Sequence, residues 1–146
     1  MALAVEEAIL VGAPPQAVWR FLADPMSWRY WWRHCKSAAT ADLKPLRDGS
    51  RLEIALELGL LTFTLRPTVE VASENRTLIW VGRSLGVTGR HAFYLEARPN
   101  GTYVRQRESF SGGGLFLFQL LRLERATSRM FKENLRGLKR IAERGG

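Results

Sequence analysis

The chain has 146 residues, and its 22 Lys and Arg outnumber its 14 Asp and Glu, for a formal charge of +8. A chain of this length is expected to form a single domain over residues 1–146, and its lone cysteine, Cys35, excludes an intrachain disulfide. The sequence has no apolar run of the roughly 18 residues that a membrane-spanning helix needs and no basic-then-apolar leader. We therefore predict a cytoplasmic protein with no transmembrane segment.

The chain is predicted to begin with a strand and a short helix. Leu3–Val11 alternates weakly between apolar and polar residues, which indicates an edge strand. Ala13–Pro15 ends that strand, because proline fixes the backbone angle of a first helical turn. The helix that follows places Val18, Phe21 and Leu22 on one side.

A second short helix is predicted within the segment that contains WRYWWRHC, Trp28–Cys35. Asp24 can cap this helix and Pro25 can occupy its first turn. The spacing then places three tryptophans on one face: Trp28, Trp31 and Trp32. Aromatic rings interleaved with cations suit nucleic-acid bases, a membrane edge or a ligand pocket.

The middle of the chain has the period-two pattern of strands. After a polar link at Ser37–Asp42, apolar residues alternate with polar ones along Leu52–Leu58 and again along Leu61–Val71. Three further strands are predicted, which are TLIWVGR, VTGRHAFYLEA and TYVRQRESF. The turns between the predicted strands lie at Glu74–Arg76, Leu85–Gly86 and Arg98–Gly101. Consecutive strands with short turns form an antiparallel meander that needs only one covered face.

A long amphipathic helix is predicted to supply that cover. Apolar residues recur at helical spacing at Leu115, Leu117, Leu120, Leu121, Met130, Phe131, Leu135, Leu138 and Ile141. The helix also carries eight cations against three glutamates, which is +5 of the total +8. The cations are Arg122, Arg125, Arg129, Lys132, Arg136, Lys139, Arg140 and Arg144. The glycines of SGGGL, Ser111–Leu115, are interpreted as a hinge into this helix, since they lack the lysine of a phosphate-binding loop.

The order of these elements resembles a known family. The matching segments are APPQAVWRFLADPMSWRYWW, GSRLEI, GRHAFYLEARPNGTYVRQRESFSGGGL and FKENLRGLKRIAE, and together they cover nearly the whole chain. They resemble the START/Bet v 1-like (SRPBCC) superfamily, in particular its small bacterial polyketide cyclase/dehydrase-like proteins. The resemblance implies an α+β helix-grip fold, in which a curved antiparallel sheet wraps around a long C-terminal helix. It also implies a cavity between sheet and helix for apolar molecules such as lipids, polyketides or quinones.

The strand pattern predicts a polar spot on the concave face of the sheet. If the Arg98–Gly101 turn pairs Ala97 with Thr102, His91 faces Glu108 and Phe93 faces Gln106. The preceding turn brings Trp80 beside His91. A carboxylate and an imidazole side by side suit acid–base chemistry, but such a pair also serves to hold a fold together or to orient a ligand.

Other side chains are candidates to contact the ligand. Leu56, Phe63 and Phe110 are candidates from the sheet, and Met130, Phe131 and Asn134 from the long helix. The place of WRYWWRHC in the fold favours the pocket interpretation. We expect one or two of its three tryptophans to pack inward, with Trp28 and Trp32 as ligand contacts. Arg29 and Arg33 are expected to face solvent.

Three functions follow from this reading. The first is a protein that binds an apolar small molecule, and the second is a cyclase, dehydratase or hydrolase that uses His91 and Glu108. The third is a basic interaction protein whose C-terminal helix contacts RNA, the ribosome or an anionic membrane. Nucleic acid is disfavoured as a partner because the sequence has no known nucleic-acid motif. No cofactor is implied, and His34, His91 and Cys35 are too few soft ligands for a metal site.

Overall fold

The computed structural model describes residues 2–42, 44–84, 86–114 and 123–145. These residues form eight strands, three α-helices and one short 3-10 helix at Pro25–Ser27. The helices are α1 (Pro15–Leu22), α2 (Trp28–Trp31) and α3 (Leu123–Glu143). The strands are β1 (Ala2–Val11), β2 (Cys35–Thr40), β3 (Leu52–Leu58), β4 (Leu61–Leu65), β5 (Thr68–Ser73), β6 (Thr77–Ser84), β7 (Val87–Arg98) and β8 (Gly101–Ser111).

The strands form an antiparallel sheet in two hydrogen-bonded parts. One part has the order β1-β8-β7-β6-β5 and the other the order β2-β3-β4. The two parts meet at one corner, where Leu52 N donates to Pro67 O at 2.9 Å and Val69 N donates to Ser50 O at 2.7 Å. The long helix α3 packs against β1, α1 and α2. This is the helix-grip fold that was expected, and none of the described helices is long and apolar enough to cross a bilayer.

The predicted cap at Asp24 forms on the 3-10 helix Pro25–Ser27, which leads into α2. The side chain of Asp24 accepts a hydrogen bond from Met26 N at 3.1 Å, and Pro25 occupies the first helical turn. All three tryptophans of WRYWWRHC are buried, although only one or two were expected to be. Arg29 and Arg33 are exposed, as predicted.

A cluster of aromatic rings fills the interior next to α2. Trp28 stacks on Trp80 with ring centroids 4.9 Å apart, and its indole nitrogen donates to Leu22 O at 3.1 Å. Trp32 also stacks on Trp80, at 6.4 Å, and Trp31 meets the edge of Phe93 at 6.1 Å. Large offset-stacked rings bury much apolar surface, so this cluster ties α2 firmly to the sheet.

The C-terminal end of α3 is anchored to the loop after β1. Gly12 N donates a hydrogen bond of 2.7 Å to the Glu143 carboxylate, and Lys139 also donates to it. The hydrogen bonds from Lys139 and Gly12 lower the pKa of Glu143. The carboxylate therefore stays charged and holds the end of the helix in place.

Two sequence predictions about the middle of the chain were wrong. Ser37–Asp42 is mostly strand β2 and not a polar link, because its small residues pair with β3 and bury Ala38. Leu61–Val71 is not one continuous strand, since Pro67 has no amide hydrogen to continue a ladder and the chain passes from β4 into β5 there. The residues predicted as the first turns of the long helix, from Leu115 to Arg122, lie outside the described residues, as does Leu85.

Helices α2 and α3 approach each other most closely at Gly137. A β-carbon at this position would lie 2.1 Å from the carbonyl oxygen of Trp31 and 3.0 Å from its carbonyl carbon. Both neighbours are backbone atoms of a tightly packed helix, so neither can move aside cheaply. Glycine is therefore required at this position for the two helices to pack.

We predict that Gly137→Ala destabilises the protein by about 2 kcal/mol or more, because the new methyl group collides with the Trp31 carbonyl. Without the collision, replacing glycine by alanine inside a helix would stabilise the protein by roughly 0.5–1 kcal/mol. The sign of the change in stability therefore shows whether the collision occurs. Thermal unfolding measures it. Gly113→Ala is the control, since its β-carbon would meet nothing within 4 Å. An unchanged or higher Tm for Gly137→Ala would contradict the prediction.

Candidate ligand-binding site

Three polar side chains meet on the concave face of the five-stranded part of the sheet. The predicted register is the observed one, since His91 lies opposite Glu108, Phe93 opposite Gln106 and Trp80 opposite His91. Gln106 Nε2 lies 3.0 Å from His91 Nε2, and His91 Nδ1 lies 3.5 Å from Glu108 Oε1. The imidazole therefore bridges an amide and a carboxylate.

His91 has one polar neighbour at each ring nitrogen. The amide nitrogen of Gln106 can only donate a hydrogen bond, and in this arrangement Nε2 of His91 accepts it. Nδ1, on the other side of the ring, faces the carboxylate of Glu108. The imidazole thus fixes the amide and the carboxylate relative to each other.

Aromatic rings enclose His91 on several sides. Trp80 stacks on the imidazole with a centroid distance of 4.5 Å and an interplanar angle of 10°. Phe93 and Phe131 each lie 5.2 Å from it, and Trp32 lies 6.3 Å away. The imidazole is consequently only 4% exposed, while the side chain of Glu108 is 22% exposed. Glu108 is thus the more accessible member of the pair.

An open cavity of about 200 Å³ lies beside Glu108. Trp80, Val87, Phe110 and Glu108 line it from the sheet, and Pro67 also lines it. Two arginines, Arg66 and Arg83, are among the lining residues. The cavity therefore combines apolar side chains with a single carboxylate.

Two facing glycines create the space. Gly82 on β6 pairs with Gly89 on β7, so two neighbouring positions of the concave face carry no side chain. A β-carbon on Gly89 would lie 2.9 Å from Glu108 Oε2, and one on Gly82 would lie 3.4 Å from Pro67 Cβ. Sequence reasoning missed both glycines. The register that places Trp80 beside His91 also places Gly82 beside Gly89, and this signal could have revealed them.

Several buried polar atoms have no hydrogen-bond partner in the described part of the chain. They are the indole nitrogens of Trp31 and Trp32, Oε1 of Gln106, Oε2 of Glu133 and both amide atoms of Asn134. Buried polar groups normally form hydrogen bonds, so an unpaired one marks a place where a polar atom of a ligand can bind. Asn134 lies one helical turn after Phe131, which contacts His91, and Gln106 is bonded to His91.

The structure separates the predicted ligand contacts into three groups. Trp80, Glu108 and Phe110 line the cavity. Buried behind it or elsewhere in the core are Trp28, Trp32, Leu56, His91, Phe93, Gln106, Phe131 and Asn134. Met130 is half-buried. Trp32, which was predicted to contact the ligand, is packed against Trp80, and Trp80 is the ring that reaches the cavity.

Phe63 does not lie in the interior. It pairs with Leu56 and so shares its face of the sheet, yet it is 42% exposed whereas Leu56 is 9% exposed. Strand β4 is the edge of the three-stranded part, and its side chains are largely exposed. The alternation of residues correctly predicts which face of the sheet a side chain lies on. It does not show whether other elements cover that face at the position of the side chain.

Cys35 is buried at the start of β2. Burial raises the pKa of its thiol to about 11, above the ordinary value of 9.0, and a backbone hydrogen bond offsets this only in part. No cluster of three metal-ligating side chains occurs among the described residues. The raised pKa of Cys35 disfavours nucleophilic chemistry by its thiolate.

Comparison with known proteins identifies a matching family and several similar structures. The polyketide cyclase/dehydrase and lipid transport family matches residues 2–143. No curated protein sequence matches the chain. The Zhui aromatase/cyclase from Streptomyces sp. R1128 is 14% identical, with a TM-score of 0.80, over 99% of this chain and 95% of that chain.

Two other solved structures are also similar. The di-domain ARO/CYC StfQ from the steffimycin biosynthetic pathway is 14% identical with a TM-score of 0.82, and the match covers 99% of this chain and 51% of that one. The chain thus spans about half the length of StfQ. Ara h 8.0201 is 12% identical with a TM-score of 0.68, over 94% of this chain and 98% of that chain. At these identities the likeness shows the fold alone.

We predict that Cys35 reacts slowly with a disulfide reagent such as DTNB in the folded protein at pH 8. A thiol with a pKa near 11 is then only about 0.1% ionised, and the thiolate is the reactive form. The release of the coloured thiolate at 412 nm measures the rate. Labelling in guanidinium chloride is the control, and it should be complete within minutes. Equal rates in the folded and unfolded states would contradict the burial of Cys35.

Proposed function

The chain belongs to the polyketide cyclase/dehydrase and lipid transport family, and from this premise we propose that it binds an apolar small molecule at the concave face of its sheet. The observation that carries the proposal is the open cavity beside Glu108, which two facing glycines keep free of side chains. We also propose that the chain acts as a single domain, since the family match extends over residues 2–143.

The volume of the cavity limits the part of a ligand that it can hold. At about 200 Å³ it is smaller than the usual pocket of roughly 300–1,000 Å³. A cavity of about 150 Å³ is nevertheless enough for benzene. The aromatic cluster around Trp28, Trp31 and Trp32 fills the neighbouring interior. We therefore propose that one or two rings of the ligand enter here, stacked against Trp80.

The wall of the cavity specifies one polar contact. Glu108 presents a carboxylate that only accepts hydrogen bonds while it is ionised, and His91 keeps it in place from behind. A hydroxyl or N–H group on the ligand satisfies this acceptor. The preferred ligand is thus a ring compound with a hydrogen-bond donor on the edge that enters first. Small-molecule sites typically have this composition, with a mostly apolar lining and a few polar groups that orient the ligand.

A second function is favoured by the same pair of residues. Glu108 is accessible from the cavity, and Nδ1 of His91 lies 3.5 Å from its carboxylate. A carboxylate in this setting can remove a proton from a bound ligand and return it elsewhere, as the general base of a cyclisation or dehydration. Gln106 and His91 are then positioning residues, because the aromatic rings shield them from the cavity.

We predict that Gly82→Val lowers the affinity for a two-ring phenol, 1-naphthol, by about tenfold or more, because the isopropyl group occupies the cavity. Isothermal titration calorimetry measures the affinity. Val81→Leu is the matched control, since it adds bulk to the same strand on the opposite face, and its affinity should stay within about twofold. Equal affinities for wild type and Gly82→Val would exclude this cavity as the binding site.

Glu108→Gln separates binding from catalysis. The amide retains an acceptor oxygen but cannot take a proton, so we expect 1-naphthol to bind within about threefold of wild type. If the protein is an enzyme, native mass spectrometry of the purified Glu108→Gln variant should detect a retained small molecule whose mass differs from anything retained by wild type. The same molecule at the same occupancy in both proteins would refute the catalytic role and leave the binding function.

A further inference from the structure

A second depression lies on the outer surface between α2 and α3. Its volume is about 390 Å³, and it shares no lining residue with the cavity beside Glu108. Four of its lining residues are arginines: Arg29 and Arg33 from the α2 segment, and Arg136 and Arg140 from α3. The close approach of the two helices at Gly137 brings these two pairs to opposite walls of the depression.

The four arginines of this depression share one acidic lining residue. Several arginines elsewhere, Arg51, Arg66, Arg90, Arg98 and Arg105, each form an ion pair with a carboxylate within 3.4 Å. In the depression Glu133 is the one carboxylate among the lining residues, and it lies 3.7 Å from Arg33 and 3.8 Å from His34. Within the described residues, Arg136 and Arg140 form no ion pair.

This concentration of charge is unfavourable for the protein alone. Arg136 and Arg140 are four residues apart on α3, and like charges at this spacing destabilise a helix. The two pairs also face each other across the depression. An anionic ligand converts this repulsion into attraction, and guanidinium groups bind phosphate oxygens through two parallel hydrogen bonds.

We propose that the depression between α2 and α3 is a binding site for a diphosphate group. Four arginines and one glutamate give it a charge of +3, and a diphosphate carries about −3, since each phosphate contributes about −1.5 to −2. The volume lies within the roughly 300–1,000 Å³ of small-molecule pockets. Tyr30 lines the same depression and is 68% exposed, and the Arg29 guanidinium lies over its ring, 5.4 Å from the centroid.

A nucleic acid fits this surface less well. The basic residues of α3 outside the depression include Arg125 and Arg129, which are exposed but do not line it. A phosphate backbone is followed by a continuous basic groove, whereas these four arginines converge on one concave spot. The C-terminal helix on its own, which the sequence suggested as an interaction face, supplies only half of the arginines involved.

Isothermal titration calorimetry with inorganic pyrophosphate tests the proposal on the full chain at low salt. We expect Arg136→Ala to weaken pyrophosphate binding by about tenfold or more, because it removes a charged donor from the site. Arg129→Ala is the matched control: it removes the same charge from the same helix outside the depression, and its affinity should stay within about threefold of wild type. Glu133→Gln should strengthen binding by about threefold, because it removes the opposing charge.

Two further measurements sharpen the result. Orthophosphate should bind at least about tenfold more weakly than pyrophosphate, since it can engage only some of the arginines. ADP and geranyl diphosphate then distinguish a nucleotide from a lipid as the source of the diphosphate, and tighter binding of either one than of pyrophosphate supports the site.

The proposal is overturned if Arg136→Ala and Arg129→Ala weaken pyrophosphate binding equally, because the net charge of the protein would then explain it. It is also overturned if a single-stranded RNA oligonucleotide binds more tightly than every diphosphate and loses affinity equally in Arg125→Ala, Arg129→Ala and Arg136→Ala. A lower Tm for unliganded Arg136→Ala is not expected, since the arginine is exposed and has no described ion pair.

Discussion

The register of β6, β7 and β8 is the constraint on which the interior of this protein depends. It sets Trp80, His91 and Glu108 side by side across three strands. Two residues further along β6 and β7 it sets Gly82 beside Gly89. Because side chains alternate between the faces of a strand, a shift of one residue would turn the entire row away from the core. The stacking of Trp80 on His91, the contact of His91 with Glu108 and the cavity beside them all follow from this pairing.

The interior is divided between a filled half and an open half. At the filled end, Trp28, Trp31 and Trp32 pack on Trp80 and Phe93, and Gly137 lets α3 come close enough to cover them. At the other end, the paired glycines remove side chains from the concave face and leave space next to a carboxylate. The polar pair of His91 and Glu108 lies at the boundary between the halves, where His91 is shielded and Glu108 remains accessible.

The positive charge of the protein is distributed in two different ways. Along the strands, arginines pair with nearby carboxylates on the outer surface, as Arg90 does with Glu70 at 2.9 Å. Between α2 and α3, four arginines converge with one glutamate among them. A net charge of +8 does not distinguish these arrangements, although the first serves mainly solubility and packing while the second creates a local field that attracts anions.

The sequence by itself determined the elements apart from β2 and the break at Pro67, together with the cap at Asp24 and the register of β7 and β8, since these depend on residues close together in the chain and on strict alternation. It therefore placed His91, Glu108 and Gln106 together correctly, and it gave the family.

Tertiary structure alone decided which faces are covered, and for this reason Phe63 is exposed, Trp32 is packed behind Trp80, and all three tryptophans of WRYWWRHC are buried. Tertiary structure also decided that Arg29 and Arg33 line the same depression as Arg136 and Arg140. The physical reason is that local patterns fix the direction of a side chain relative to its own element, whereas burial and long-range clustering depend on how closely two distant elements can approach.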